Sequence, residues 1–224
     1  MKLQTISAFC ALALGVTAIN AATTVLTFEG LADQESVLNY YDGGNGGKGS
    51  GPGPNYGLTF GADSLAVISR AAGGSGNFDG NPSGKTILFF LSGPGDVMNV
   101  GAGFNTGFSF YYSSPGVGGD VQVYSGENGT GTELANLTLI KTPAGGAGCS
   151  GSYTYCPWET MGVTFSGTAK SVIFTGTANY IGFDNITLGS STPVSGTPEP
   201  SSIILLGSGI GALALAGLRK RKTA

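Results

Sequence analysis

The sequence contains no histidine, and this absence excludes the catalytic groups that depend on imidazole. Ser-His-Asp and Cys-His triads both use a histidine as general base, so nucleophilic hydrolases of these kinds are excluded. Charged residues are also scarce, at 10% of the chain. Between Glu29 and Asp184, 12 acidic residues stand against five basic ones, a net charge of −7. Binding to nucleic-acid phosphates relies on Lys and Arg, so we expect no nucleic-acid partner.

Cysteine is rare as well, with three residues in 224. Cys10 lies in an apolar leader, which leaves Cys149 and Cys156 as an even pair within one short loop. In an exported protein such a pair favours a disulfide. A metal site with two thiolates is the alternative, but the surrounding residues offer no further ligands of the kind it needs.

The N-terminal segment 1–21 has the layout of a secretory signal peptide. Lys2 precedes an apolar run from Ile6 to Ile19, and small residues follow up to Ala21. This order of a basic start, an apolar centre and a small-residue cleavage site is typical of export. We therefore expect the mature protein to begin near residue 22.

Residues 22–189 are predicted to form one all-β domain, an antiparallel β-sandwich. Glycine is abundant, with 41 residues, but 10% aromatic residues and repeated β-branched runs argue against disorder. Apolar residues recur with period two, the pattern of strands with one buried face. Examples are Phe104, Phe108, Phe110 and Tyr112; Val121 and Val123; Leu137 and Leu139; Val163 and Phe165; Val172 and Phe174.

The last predicted strand changes its buried face part-way along. Ile181 and Phe183 share one parity, whereas Ile186 and Leu188 share the other. The switch falls on Asp184, so a β-bulge or bend is predicted there. Glu29 follows the first predicted strand, and terminal strands that lie side by side would bring the two carboxylates together at one edge of the sheet.

Two carboxylates with backbone carbonyls suit a hard cation such as Ca²⁺. In the alternative interpretation, Glu29 ends its strand and Asp184 makes an Asx turn. Phe28-Glu29-Gly30 and Gly182-Phe183-Asp184-Asn185-Ile186 also resemble the opening and closing motifs of jelly-roll carbohydrate-binding modules. That resemblance implies a jelly-roll sandwich and one structural Ca²⁺ held by the matching acids.

Aromatic residues near the cysteine pair form the best local cluster for contact with sugars. Tyr153, Tyr155 and Trp158 lie within or just after the loop, and flat rings can stack on pyranose faces. The alternative is that these rings are half-buried packing. A glycan hydrolase with two catalytic carboxylates is a further possibility, but no acidic pair has a spacing that favours it.

The C-terminal region predicts membrane attachment. Residues 190–197 are Ser-, Thr- and Pro-rich and read as a linker. Pro198-Glu199-Pro200 precedes the 18-residue apolar run 201–218, and Arg219-Lys220-Arg221-Lys222 follows it. As a helix the run would measure about 27 Å, enough to cross a bilayer core. The basic cluster would remain cytoplasmic and act as the stop-transfer signal.

This order closely resembles the PEP-CTERM sorting signal of Gram-negative bacteria. The resemblance implies processing by an exosortase-type membrane transpeptidase, transient anchoring in the inner membrane, and release to the cell surface or extracellular matrix. Proteins with this tail are associated with exopolysaccharide and biofilm matrix. The leading hypothesis is therefore a non-catalytic surface or matrix protein with a structural or adhesive role that involves exopolysaccharide, and the alternative is a secreted glycan hydrolase.

Overall fold

The computed structural model describes residues 23–93, 95–146 and 148–195, which form an antiparallel all-β fold. The strands are β1 (Thr24–Leu26), β2 (Glu35–Ser36), β3 (Leu58–Phe60), β4 (Ser64–Ile68), β5 (Thr86–Phe90), β6 (Gly95–Ser113), β7 (Gly119–Tyr124), β8 (Glu133–Leu139), β9 (Glu159–Gly176) and β10 (Gly182–Leu188). Two single 3-10 turns, Arg70–Ala72 and Glu127–Gly129, complete the regular structure of these residues. The predicted antiparallel all-β class is confirmed.

The predicted signal peptide 1–21, the sorting motif 198–200 and the apolar run 201–218 lie outside the described residues. Within the described part of the chain, no helix has both the length and the apolar character needed to cross a membrane. The transmembrane helix therefore stays a prediction from sequence.

Two long strands, β6 and β9, link the two halves of the strand network. The first half of β6 pairs with β3 and with the second half of β9; this half of β9 pairs with β7, and β7 pairs with β8. The second half of β6 pairs with β10 and with the first half of β9, and β10 continues to β5, β4 and β2. The β6–β9 register shifts around Phe104, where Gly103 and Thr106 adopt φ values of 74° and 73°.

Aromatic side chains from the two halves pack against each other, as expected for a sandwich. Phe174 on the second half of β9 lies 6.5 Å from Phe110 and 5.0 Å from Phe183, measured between ring centroids, in edge-to-face geometry. All three side chains are fully buried. The period-two prediction placed Phe110 and Phe174 on buried strand faces, and both lie in this core.

The terminal strands lie side by side, with Thr24 opposite Leu188 and Leu26 opposite Ile186. The β10–β6 register shifts between Asp184 and Thr187, which confirms the predicted bulge. The first residues of the predicted linker, 190–195, contact the body. Ser190 O accepts from Ser109 Oγ at 2.9 Å, and Val194 O accepts from Asn185 Nδ2 at 2.7 Å.

Candidate functional site

Glu29 and Asp184 both bind the loop that precedes β5. Glu29 Oε1 accepts hydrogen bonds from the backbone N–H groups of Lys85 and Thr86, at 2.8 and 2.7 Å. Asp184 accepts from Ser83 N and Asn81 Nδ2, both at 3.2 Å, and from Ser83 Oγ. The two acids therefore converge on residues 81–86, at the place along β10 where β1 ends and β5 begins, rather than at a free sheet edge.

The Asp184 carboxylate is fully buried and already surrounded by donors. Besides the loop contacts, its Oδ1 accepts from Asn185 N at 2.7 Å. Burial raises the pKa of Asp184 to about 7, and the hydrogen bonds from Asn81, Asn185 and Ser83 lower it less than burial raises it. These contacts make Asp184 a structural anchor between β10 and the loop. A cation at Asp184 would have to displace some of these donors, whereas the hydrogen bonds to Glu29 from described residues leave Oε2 free.

The cysteine pair forms a disulfide between Cys149 and Cys156, with an S–S distance of 2.07 Å, as predicted. The loop that it closes lies against the segment before β5. Phe78 and Tyr155 form a parallel β-bridge, and Tyr155 N donates to Asn77 O at 3.1 Å. The disulfide loop thus covers the outer face of β4 and β5, where Val67, Phe78, Ile87 and Phe89 form a second apolar cluster.

The three aromatic residues predicted to stack on sugars make different contacts. Tyr153 lies under the Arg70 guanidinium, 4.3 Å from ring centroid to Cζ. Trp158 and Tyr155 both pack on the second apolar cluster: Trp158 lies edge-on to Phe78 and donates from Nε1 to Asp79 O at 2.9 Å, and Tyr155 lies edge-on to Phe89, with 5.0 Å between centroids. Sugar stacking by these rings stays a prediction from the sequence.

Tyr155 instead lines an open groove with polar side chains. This groove, named here the Asn77 groove, has a volume of about 150 Å³ and includes Gln34, Ser75, Asn77, Phe89, Leu91, Tyr155 and Asn179. Asn77 Nδ2 donates to Thr154 Oγ1 at 2.6 Å, but Asn77 Oδ1 is shielded from solvent and has no partner among the described residues. A buried acceptor without a donor is costly and is often satisfied by water or a ligand.

The Tyr155 hydroxyl at this groove keeps its proton and acts as a hydrogen-bond donor. It donates to the Asn179 carbonyl, and burial, together with the nearby Tyr180, raises the pKa of Tyr155 to about 12. On the rim, Leu91 is 39% exposed, and Gln34 Nε2 donates to Ser75 Oγ at 2.9 Å. The groove thus combines an aromatic wall, an exposed aliphatic side chain and amide groups, which is the mixture that small polar ligands require.

Glu35 is a structural residue that the sequence analysis missed. Its side chain is fully buried and accepts from the backbone N–H groups of Ala32 (2.7 Å), Lys48 (2.7 Å) and Ser50 (3.0 Å). Burial raises the pKa of Glu35, but the hydrogen bonds from Ser50, Ala32 and Lys48 outweigh it and hold the pKa below its usual value. Glu35 therefore fixes the glycine-rich loop 42–57, whose lack of side-chain periodicity gave no sign of a buried anchor.

Asp96 is a second missed residue, and here a sequence pattern was present. Asp96, Met98 and Val100 alternate along β6, and all three are buried. The period-two rule therefore places Asp96 on the buried face of its strand. Asp96 and Asp63 are both lining residues of one cavity.

Comparisons with known proteins were made at three levels. No protein-family model matches the chain, and no curated protein matches it. Among solved structures, it is similar to the K2 cleaved adhesin domain of Lys-gingipain, with 18% identity, a TM-score of 0.48, and coverage of 75% of this chain and 99% of that one. A carbohydrate-binding module of family 35 from Paenibacillus barcinonensis has 20% identity, a TM-score of 0.35, and coverage of 60% and 94%.

A third similar structure is a family 43 arabinoxylan arabinofuranohydrolase from Bacillus subtilis. It has 22% identity and a TM-score of 0.33, with coverage of 49% of this chain and 21% of that one. At these TM-scores the likeness says nothing about a ligand or an activity. The proposals below therefore depend on the residues of this chain.

Proposed function

We propose that this protein is an exported, non-catalytic surface or matrix protein that binds exopolysaccharide in the Asn77 groove. The observation that carries the proposal is the groove itself, which combines the Tyr155 ring with side-chain amides whose oxygens can accept hydrogen bonds. A sugar offers hydroxyl donors for such an acceptor and an apolar ring face for an aromatic or aliphatic side chain. The acidic body, with few cations, favours a neutral polysaccharide over a strongly anionic one.

Delivery to the surface forms part of the same proposal. The signal peptide 1–21 would direct export, and the tail 198–222 would hold the protein in the membrane until an exosortase-type enzyme acts on it. The support is the order of Pro198-Glu199-Pro200, the apolar run and the basic cluster. The intact mass of the protein recovered from the cell surface tests this step: a mass that includes residues beyond Pro200 contradicts removal of the tail.

Retention of the purified protein on exopolysaccharide from its own host tests the groove. Leu91→Ala removes an exposed apolar contact from the rim, and Asn77→Ala removes an amide side chain from the lining of the groove. Ile140→Ala is the matched control, because Ile140 is 68% exposed and does not line the groove. We expect the two groove variants to be retained at least tenfold more weakly and the control to bind like the wild type. Equal retention of all four proteins would reject the groove.

The same experiment distinguishes a binding protein from the alternative, a glycan hydrolase. Release of reducing ends from the polysaccharide during incubation would favour an enzyme, whereas retention without release supports a binding protein. Trp158→Ala adds a test of the original stacking prediction. Trp158 packs on Phe78 and does not line the groove. We therefore expect Trp158→Ala to lower the stability of the fold and to have only a small effect on retention.

We also retain, as a proposal, one structural Ca²⁺ at Glu29 and Asp184. Its support is the convergence of both carboxylates on loop 81–86 and the free Glu29 Oε2. The donors around Asp184 count against it. This site is rejected if the melting temperature of the wild type is the same in EDTA and in CaCl₂, or if Glu29→Gln leaves the rise in CaCl₂ as large as in the wild type.

A further inference from the structure

The cavity beside the start of β6 holds the least satisfied ionisable group among the described residues. Asp96 is 5% exposed, and neither Oδ1 nor Oδ2 receives a hydrogen bond of full geometry from the described residues, although the backbone N–H groups of Val97 and Gly61 lie close enough to lower its pKa. A buried carboxylate in this condition is costly unless a proton or a cation neutralises it.

Asp63 brings a second carboxylate to the same cavity. Asp63 and Asp96 both line a space of about 360 Å³, with Gly61, Gly95 and Thr175 among the other walls. Ser92 Oγ donates to Asp63 Oδ1 at 2.9 Å, and the hydrogen bonds from described residues leave Oδ2 free. The two acids are close enough for Asp63 to make ionisation of Asp96 less favourable. Repulsion between like charges is the condition that a bound cation relieves.

Glycine at position 61 keeps the Asp96 carboxylate in place. A Cβ atom at residue 61 would lie 2.7 Å from Asp96 Oδ1, closer than a real Cβ contact. Any side chain at this position would therefore push the carboxylate away from its place in the cavity wall. Gly93 has the same relation to Asp63, where a Cβ would lie 2.7 Å from Oδ2.

We propose that Asp63 and Asp96 form a calcium-binding site in this cavity, separate from Glu29 and Asp184. Two carboxylates are hard oxygen ligands, and the absence of histidine and thiol ligands at the cavity disfavours transition metals. The space allows water to complete the coordination. Ca²⁺ accepts such irregular shells more readily than Mg²⁺, which demands near-octahedral geometry. The affinity expected for an extracellular site of this kind is a Kd of about 0.1–1 mM.

Calorimetric titration of the purified full-length protein with CaCl₂, after removal of metals with EDTA, tests the proposal. We expect Asp96→Asn and Asp63→Asn to weaken binding at this site at least tenfold. Asp42→Asn, which makes the same change of charge at an exposed loop position, should leave it unchanged. With 10 mM CaCl₂ the melting temperature of the wild type should rise by about 3–11 °C, and this rise should disappear in both cavity variants.

Glu29→Gln separates this site from the one proposed at Glu29 and Asp184. If both sites exist, the wild type binds two Ca²⁺ ions and each variant binds one; if only the cavity binds, Glu29→Gln leaves binding intact. The proposal is overturned if Asp96→Asn binds Ca²⁺ like the wild type, if Glu29→Gln removes all binding, or if the wild type binds none at 10 mM. Equal or tighter binding of MgCl₂ would overturn the assignment to calcium. Asp63→Asn keeps the test decisive if Asp96→Asn fails to fold.

Discussion

Replacement of Asp96 by Asn should change how the stability of the cation-free protein depends on pH. Burial raises the pKa of Asp96 from 3.8 to about 8. Hydrogen bonding from the backbone of Val97 lowers this pKa, the nearby Asp63 carboxylate raises it by a smaller amount, and neither effect outweighs burial. The folded protein therefore binds a proton at Asp96 that the unfolded chain releases near pH 4. The contribution of Asp96 to the unfolding free energy is fully present below pH 4 and is lost as the pH rises towards 8.

The size of this effect follows from the two pKa values. Between pH 4.5 and pH 7.5, a shift from 3.8 to about 8 costs on the order of 4 kcal/mol of unfolding free energy from one group. Asn cannot ionise, so Asp96→Asn should remove this part of the pH dependence. The pKa of Asp184 is also raised, to about 7, so Asp184 changes the pH dependence of stability in the same direction. It does so equally in the wild type and in Asp96→Asn. Glu35 has a lowered pKa and acts with the opposite sign, below pH 4.5.

Urea unfolding in EDTA at pH 4.5, 6.0 and 7.5 measures the difference. We expect the wild type to lose about 4 kcal/mol more than Asp96→Asn across this range, and Asp42→Asn to follow the wild type. At pH 7.5 the variant should be the more stable protein. Parallel stability curves for the wild type and Asp96→Asn would refute the argument, because they would show that Asp96 ionises alike in the folded and unfolded chains.

Three further changes test other parts of the structure. Glu35→Gln turns an amide N–H₂ towards the N–H of Ala32 or of loop 42–57. We expect the unfolding free energy measured in urea to fall by about 1–3 kcal/mol and proteolysis of that loop to become faster. Unchanged proteolysis would argue against Glu35 as the anchor of the loop. Replacing Cys149 and Cys156 together by Ser should cost about 2.5 kcal/mol by the chain-entropy model, measured against the oxidised wild type. Phe174→Ala should cost about 3–5 kcal/mol, because three buried aromatic rings lose a shared contact; a loss below 1 kcal/mol would contradict the packing described here.

Local alternation allowed much of the strand pattern to be predicted from the sequence. Period two placed Phe110, Val121 and Phe174 on buried strand faces, because side chains of a strand alternate between its two sides. The change of parity at Asp184 predicted the bulge for the same reason, and the short spacing of Cys149 and Cys156 predicted their pairing. Each of these inferences depends on residues that are near one another in the chain.

Tertiary structure decided the partners of the polar residues. Glu29 and Asp184 bind loop 81–86, and Tyr153 contacts Arg70 whereas Tyr155 and Trp158 pack on the second apolar cluster. Glycine-rich loops without periodicity bring these distant segments together. Asp96 is the intermediate case. Its parity with Met98 placed it on a buried face from the sequence, but only the fold shows that no described side chain donates to it and that Asp63 lines the same cavity. Whether a strand residue is buried can be predicted from the local alternation of side chains. The partners of a buried charge, in contrast, depend on contacts between residues far apart in the chain.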